Sequence, residues 1–510
     1  EANLCYCPDC ARRFREWLRR RYGTLDALNA AWGTVFWSQE YSSWSQIPIP
    51  WEARCGRSHN PSLWLDYRRF ASETTVEFQH DQVEIIRRLA PHQFITHNFM
   101  GLHDSMDYFD LAEDLDFVAW DNYPGGDWHA DRDPGMAHDA MRGIKQRNFW
   151  VMEEQSGIPG WERMGVRPNP GQIRMWAWQA IAHGADAVLF FRWRSCLFGT
   201  EQFWHGILNH DGVPRRRYRE IAGFAQEAAL LGPILEGTEP YHEAAILNSY
   251  EQNWALQIQP QSDGLGWWEQ TRHFYAALSR RGIGADIIPI TADLSKYTVV
   301  FVPSWYLITP ADAERFADYV RNGGTLVLNP RAGVKDAMNR CRTEPLPALL
   351  FDVAGVEVDD YTPIHDGEWQ VLWEDGRDFS ACVWAEFLVS RGAQPIAIWE
   401  RAMFPGEPAV TRNAYGKGVC YYLGALGGPE AYDTLLEHII DATSLTPFEG
   451  TPPGVDIQIR QKGDERYLFV INQTAEEQYV PLPGVQDTLL GPAAQGTVAL
   501  APFDLGIFRM

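Results

Sequence analysis

Phe149–Trp161 reads FWVMEEQSGIPGW. Four apolar residues, Phe149, Trp150, Val151 and Met152, run into two adjacent carboxylates, Glu153 and Glu154. A polar loop containing glycine and proline then leads to Trp161. An apolar run of this length, bounded by turn residues, predicts a short buried strand. A carboxylate at the C-terminal end of such a strand, followed by a loop and a helix, stands where a (β/α) barrel carries its chemistry. The plain alternative for any glutamate is a surface or capping role. The aromatic setting of this one points to function.

Working outward, the same pattern recurs. FITHNF (94–99), LDFVAW (115–120) and AVLFFRW (187–193) predict further strands, the second running into Asp121-Asn122-Tyr123-Pro124. Met136–Lys145, Gly171–His183 and Pro214–Leu231 predict helices between and after them. Strands alternating with helices predict a parallel sheet with helical crossovers. A closed barrel has eight strands, and residues 1–235 supply about half that number. The expectation is therefore the C-terminal half of a barrel, the remainder lying upstream of a sequence whose first residue is Glu rather than Met. A small open α/β sheet is the alternative.

Residues 1–22, EANLCYCPDCARRFREWLRRRY, hold Cys5, Cys7 and Cys10. The C-x-C-x2-C spacing suits thiolate ligation of a structural zinc, which takes four tetrahedral ligands, so a fourth is expected from elsewhere. Ala11–Tyr22 and Thr24–Ala31 predict helices with Gly23 as a stop. An aromatic loop at 32–44 follows, and Ser62–Leu89 predicts one long amphipathic helix. The chain divides into units at 1–236, 240–447 and 450–510. The second reads βαβ around Tyr297–Pro303, Thr309–Asn322 and Thr325–Asn329, has Val419–Leu423 as a late hairpin or edge strand, and shows no nucleophile motif. The third has short alternating strands that predict a small antiparallel sandwich.

The net charge of −23 over 510 residues argues against nucleic acid and anionic membranes, which need basic patches. No apolar run approaches a membrane span. Eight scattered or clustered cysteines make no disulfide framework, so a cytoplasmic location is expected. The 22 tryptophans suit a sugar cleft, where flat aromatic faces meet the apolar faces of pyranose rings.

Four stretches together resemble the β-galactosidases of glycoside hydrolase family 42: Cys5–Tyr41, Leu115–Pro124, Phe149–Trp161 and Ala182–Gly212. The resemblance implies an α/β architecture: a (β/α)8 barrel, here partial, then an α/β amidotransferase-like trimerisation domain and a small C-terminal antiparallel β-domain. It implies a retaining exo-β-galactosidase that forms a covalent galactosyl-enzyme, with Glu153 as the nucleophile. Neighbouring residues on a strand point to opposite faces, so Glu154 is not expected to share that role. The family's acid/base glutamate follows an asparagine shortly before the cysteine cluster. Glu1 lacks that context, so the acid/base is expected upstream. The resemblance further implies substrate-binding roles for Trp37, Trp161, Phe191, Glu201 and His205, a zinc site at Cys5, Cys7 and Cys10, no catalytic cofactor, a galactoside or galacto-oligosaccharide substrate and a homotrimer. Two alternatives stand beside it: a β-D-fucosidase or α-L-arabinopyranosidase of the same family, and a non-catalytic sugar-binding or assembly module.

Overall fold

A computed structural model describes residues 4–51, 59–124, 134–161, 163–365, 367–493 and 496–510. Glu1 lies outside them.

The first unit opens with α1 (Pro8–Tyr22), whose register is set at both ends. Cys7 caps its N-terminus, and Gly23, at φ 74°, ends it in a conformation that costs glycine little. α2 (Leu25–Trp32) follows, capped by Thr24. The long α3 (Pro61–Leu89) starts at the Asn60 cap and proline. Phe14, Trp17, Leu28, Trp32, Tyr67 and Phe70 form the core among these three helices. Then come β1 (Asn98–Phe99), α4 (Tyr108–Ala112), β2 (Ala119–Asn122), α5 (Pro134–Lys145), β3 (Phe149–Gln155), α6 (Gln172–Ala182), β4 (Ala185–Phe191) and α7 (Arg216–Leu235). The strands pair in parallel in sequence order, β1-β2-β3-β4, as in one half of a (β/α)8 barrel.

Two strands differ from the sequence expectation. The run at 94–99 pairs only at Asn98–Phe99, and the run at 115–120 begins pairing at Ala119. Side chains intervene lower down. Asp116 Oδ2 takes the Ile95 amide, and Thr96 Oγ1 donates to the Phe117 carbonyl, so those backbone groups are satisfied outside the β1–β2 ladder.

After β5 (Glu239–Pro240) the second unit runs through β6 (Ala244–Leu247), α8 (Tyr250–Ile258), α9 (Trp267–Arg280), β7 (Ala285–Ile288), β8 (Val299–Val302), α10 (Pro310–Arg321), β9 (Thr325–Leu328) and α11 (Phe351–Ala354). β6, β8 and β9 are buried throughout and β7 at every residue but Asp286, as strands covered on both faces must be. An antiparallel extension follows: β10 (Val356–Pro363), β11 (Trp369–Trp373), β12 (Asp378–Ser390), β13 (Gln394–Arg401), β14 (Pro408–Tyr415), β15 (Gly418–Leu423) and β16 (Ala425–Gly427), closed by α12 (Pro429–Ala442). β15 is central rather than an edge strand. It pairs antiparallel with β14 and parallel with β9, joining the two halves of one sheet. Its buried Cys420, Tyr421, Tyr422 and Leu423 reflect that position.

The third unit has β17 (Val455–Lys462), β18 (Glu465–Asn472), β19 (Gln478–Pro481), β20 (Asp487–Leu490), β21 (Thr497–Leu500) and β22 (Leu505–Arg509). Its main sheet, β20-β22-β18-β17-β5, takes in the connection between the first two units as its last strand. Among the described residues no helix is long and apolar enough to cross a membrane.

Candidate active site

Glu153 stands at a break in the ladder. On one side the pairing steps from Trp120↔Val151 to Asp121↔Glu153, and on the other from Val151↔Val188 to Glu154↔Phe190. Both steps leave one extra residue on β3, a bulge at Met152–Glu153. Strict alternation would put Glu153 with the fully buried Phe149 and Val151, on the face packed by helices. The extra residue instead leaves Glu153 half-buried on the inner face with Trp150 and Met152, and sends Glu154 to the buried side. Bulges re-aim side chains in this way beside active sites.

Tyr123, just past β2, donates its hydroxyl to Glu153 Oε2 at 2.6 Å. Burial raises the Glu153 pKa, and the nearby charge of Glu201 adds to this, while the Tyr123 bond and Arg192 oppose it. Asp121, the cross-strand neighbour of Glu153, is pushed up to about 7 by burial and by the Glu153 charge. Asn98 Nδ2 donates to Asp121 Oδ2 at 2.8 Å. From the loop after β4, Arg192 Nη2 donates to Glu201 Oε2 at 3.0 Å, and its guanidinium lies 4.5 Å from the centre of the Phe191 ring.

Aromatic rings form the wall. Tyr123 meets Trp204 edge-on at 4.8 Å, and Trp204 lies 5.3 Å from Trp161. A half-buried carboxylate, a tyrosine hydroxyl, an Arg–Glu pair and flat apolar faces suit a pyranose: rings for its apolar face, polar groups for its hydroxyls.

Of the residues singled out from sequence, Glu153, Trp161, Phe191 and Glu201 are gathered here. Trp37 is not. It is 72% exposed at φ 54°, and its described ring contact is Phe36 at 4.8 Å. His205 is tied to the loop after β3. Its backbone amide and Nδ1 both approach the Ile158 carbonyl, its ring meets His210, and Gly157 packs so closely on it that a Cβ there would lie 2.9 Å from His205. The residue facing Tyr123 and Trp161 is its neighbour, Trp204. Tyr123, Trp204 and Arg192 were given no role from sequence. The signal for Tyr123 was present, a polar Asp-Asn-Tyr-Pro step directly after a strand. Nothing local marks Trp204.

Away from this pocket, the sulfurs of Cys5, Cys7 and Cys10 all lie within 4.8 Å of one another at the start of α1. Three thiols converging in this way fit a metal that takes thiolate ligands.

The chain matches three families in order. Residues 1–231 match β-galactosidase, 242–446 the β-galactosidase trimerisation domain, and 454–510 the β-galactosidase C-terminal domain. It is 40% identical to β-galactosidase BgaA of Clostridium cellulovorans over 483 residues, covering 93% of this chain and 73% of that protein. It is 38% identical to β-galactosidase Bga of Halorubrum lacusprofundi, covering 90% of this chain and 69% of the relative. The crystal structure of a β-galactosidase from Bacillus circulans sp. alkalophilus superposes with a TM-score of 0.95 at 30% identity, over 100% of this chain and 77% of that one.

Proposed function

Because this chain belongs to the β-galactosidases of glycoside hydrolase family 42, we propose that it removes terminal non-reducing β-D-galactosyl residues with retention of configuration, Glu153 being the nucleophile. Ionised Glu153 attacks the anomeric carbon as the bond to the leaving oxygen breaks. The galactosyl ester so formed is released when water attacks the same carbon and the carboxylate departs. Tyr123 holds Glu153 in position and stabilises its charge before attack. The reading rests on that contact: a carboxylate bulged onto the inner face at a strand end and gripped by a hydroxyl, beside an aromatic wall.

A retaining enzyme also needs a proton-donating carboxyl about 5–5.5 Å from the nucleophile. Glu201, held by Arg192, is assigned to a sugar hydroxyl, and Asp121 to the floor of the site, rather than to that step. The Glu153→Gln variant is expected to lose at least about a thousandfold in kcat on an aryl β-galactoside, as enzymes lacking their nucleophile do. Turnover close to the parent's would refute the assignment. Comparison with aryl β-D-fucoside and α-L-arabinopyranoside measures what the C6 group contributes.

Three further assignments belong to the same reading. The trimerisation-domain match supports a homotrimer. The convergent thiols of Cys5, Cys7 and Cys10 support a structural zinc completed by one more ligand. Metal analysis of the purified protein should find about one zinc per chain, lost in a Cys7→Ser variant. The thiols in the described residues are all free, which supports a cytoplasmic setting.

A further inference from the structure

The bulge that turns Glu153 inward shifts the register of β3 against both neighbours, and a side-chain bond stands beside that shift. Glu154, next in sequence, is completely buried on the opposite face. Its Oε2 accepts from Asn122 Nδ2 at 3.0 Å, and Asn122 is itself 2% exposed. Asn122 is the Cα partner of Glu154 across the ladder and directly precedes Tyr123. Two bonds therefore join β2 to β3 at one level, from adjacent residues on each strand: Asn122–Glu154 on the buried face and Tyr123–Glu153 on the open one. A backbone ladder ordinarily fixes the spacing and twist of two strands, and a bulge weakens it. Here the buried side-chain bond takes over that duty.

From this geometry we propose that Glu154 is a positioning residue: through Asn122 it locks β2 against β3 behind the bulge, and so keeps the Glu153 carboxylate within reach of Tyr123 and correctly aimed. The inference rests on Glu153 being the nucleophile. Among the described residues no charged partner bonds to Glu154. Behind the sheet, Arg142 of α5 is paired with Asp286, and His183 lies between Asp139 and Asp456. His138, also on α5, is kept neutral by burial. Asp121 and Glu153 stand on the open face. Complete burial then pushes the Glu154 pKa up to about 8, against the bonds from Asn122 and the Gln155 backbone. Glu154 works as an uncharged acid, so glutamine should replace it and a hydrocarbon should not.

Glu154→Gln is expected to keep kcat within about twofold and to remove an activity loss that sets in above about pH 8 in the parent. Glu154→Leu is expected to lower kcat by about 10- to 100-fold with little change in KM, the signature of a misaimed nucleophile. Asn122→Leu should do the same, and the double variant should be no worse than either single one. Glutamine as damaging as leucine, an unchanged alkaline limb, or full activity in Glu154→Leu would overturn the proposal while leaving Glu153 as nucleophile. If the parent turned over no galactoside, the function would fall but this proposal would still be decided by infrared spectra near neutral pH. A protonated-carboxyl band must vanish in Glu154→Gln, and the Glu153 carboxylate band must move in Glu154→Leu alone; absence of either change rejects it.

Discussion

Tyr123 and Glu153 meet through one 2.6 Å bond, and its energetics give a test of the proposed nucleophile. A hydrogen bond to a charged group is worth about 1.5–3 kcal/mol, so Tyr123→Phe should cost about 10- to 100-fold in kcat/KM. It should also change the pH profile. As the proposed nucleophile Glu153 must be ionised to attack, so activity should fall as pH drops through its raised pKa. The tyrosine bond favours the ionised form. Removing it raises the pKa further and moves the acid limb to higher pH, which a kcat/KM profile would register. At this scale Glu153 was readable in advance because an apolar run ended on it. Its direction was not, since period-two alternation points it at the helices. Only the bulge, a property of the strands on either side, turns it around. Trp204 was hidden for a similar reason: its role comes from a loop conformation that swings His205 onto Gly157–Ile158.

At the scale of elements, α5 does two jobs. One end of it backs β2 and β3, where the His138 ring packs on Trp120 and Phe149. The other end presses on β7 of the second unit. A Cβ added at Gly143 would collide with the Ile287 carbonyl oxygen. Gly143→Ala must therefore push helix and strand apart, and thermal unfolding should show a loss of about 1–3 kcal/mol, as for other overpacked interiors. Helices of the first unit were legible to within a few residues because their caps are local: Gly23 after α1, a proline opening α3 and α5. The parallel βαβ core of the second unit was legible for the same reason. The antiparallel extension β10–β14 was not. Its pairings connect strands through long-range contacts, and β12 alone bonds to three partners. A single sequence offers no local sign of such partners.

At the scale of the whole molecule, the three units share one buried polar cluster. His183, at the end of α6, lies 3.0 Å from Asp139 of α5 and 3.0 Å from Asp456 of β17. His242 and Asp286 of the second unit adjoin it through Arg142. Burial opposes a charge on His183, but the two aspartates outweigh it and raise the pKa to about 10. The folded value lies above the ordinary one of about 6.5. Its stabilisation is therefore complete below about pH 6.5, declines as pH rises, and is gone above about pH 10. Urea unfolding of the parent should follow that decline. His183→Gln, which leaves Asp456 buried without its cation and Asp139 with only Arg142 at 3.9 Å, should lose about 3–5 kcal/mol at neutral pH and show a flatter profile. The strand β5 has a further consequence. It lies in the connection between the first two units, yet its hydrogen-bonding partners are Arg460 and Gln461, more than two hundred residues further on. A ribosome delivers those partners more than two hundred residues after the connecting strand has emerged. The nascent protein must therefore wait with that seam open, and a stop codon placed before Val455 would leave it unsewn for good.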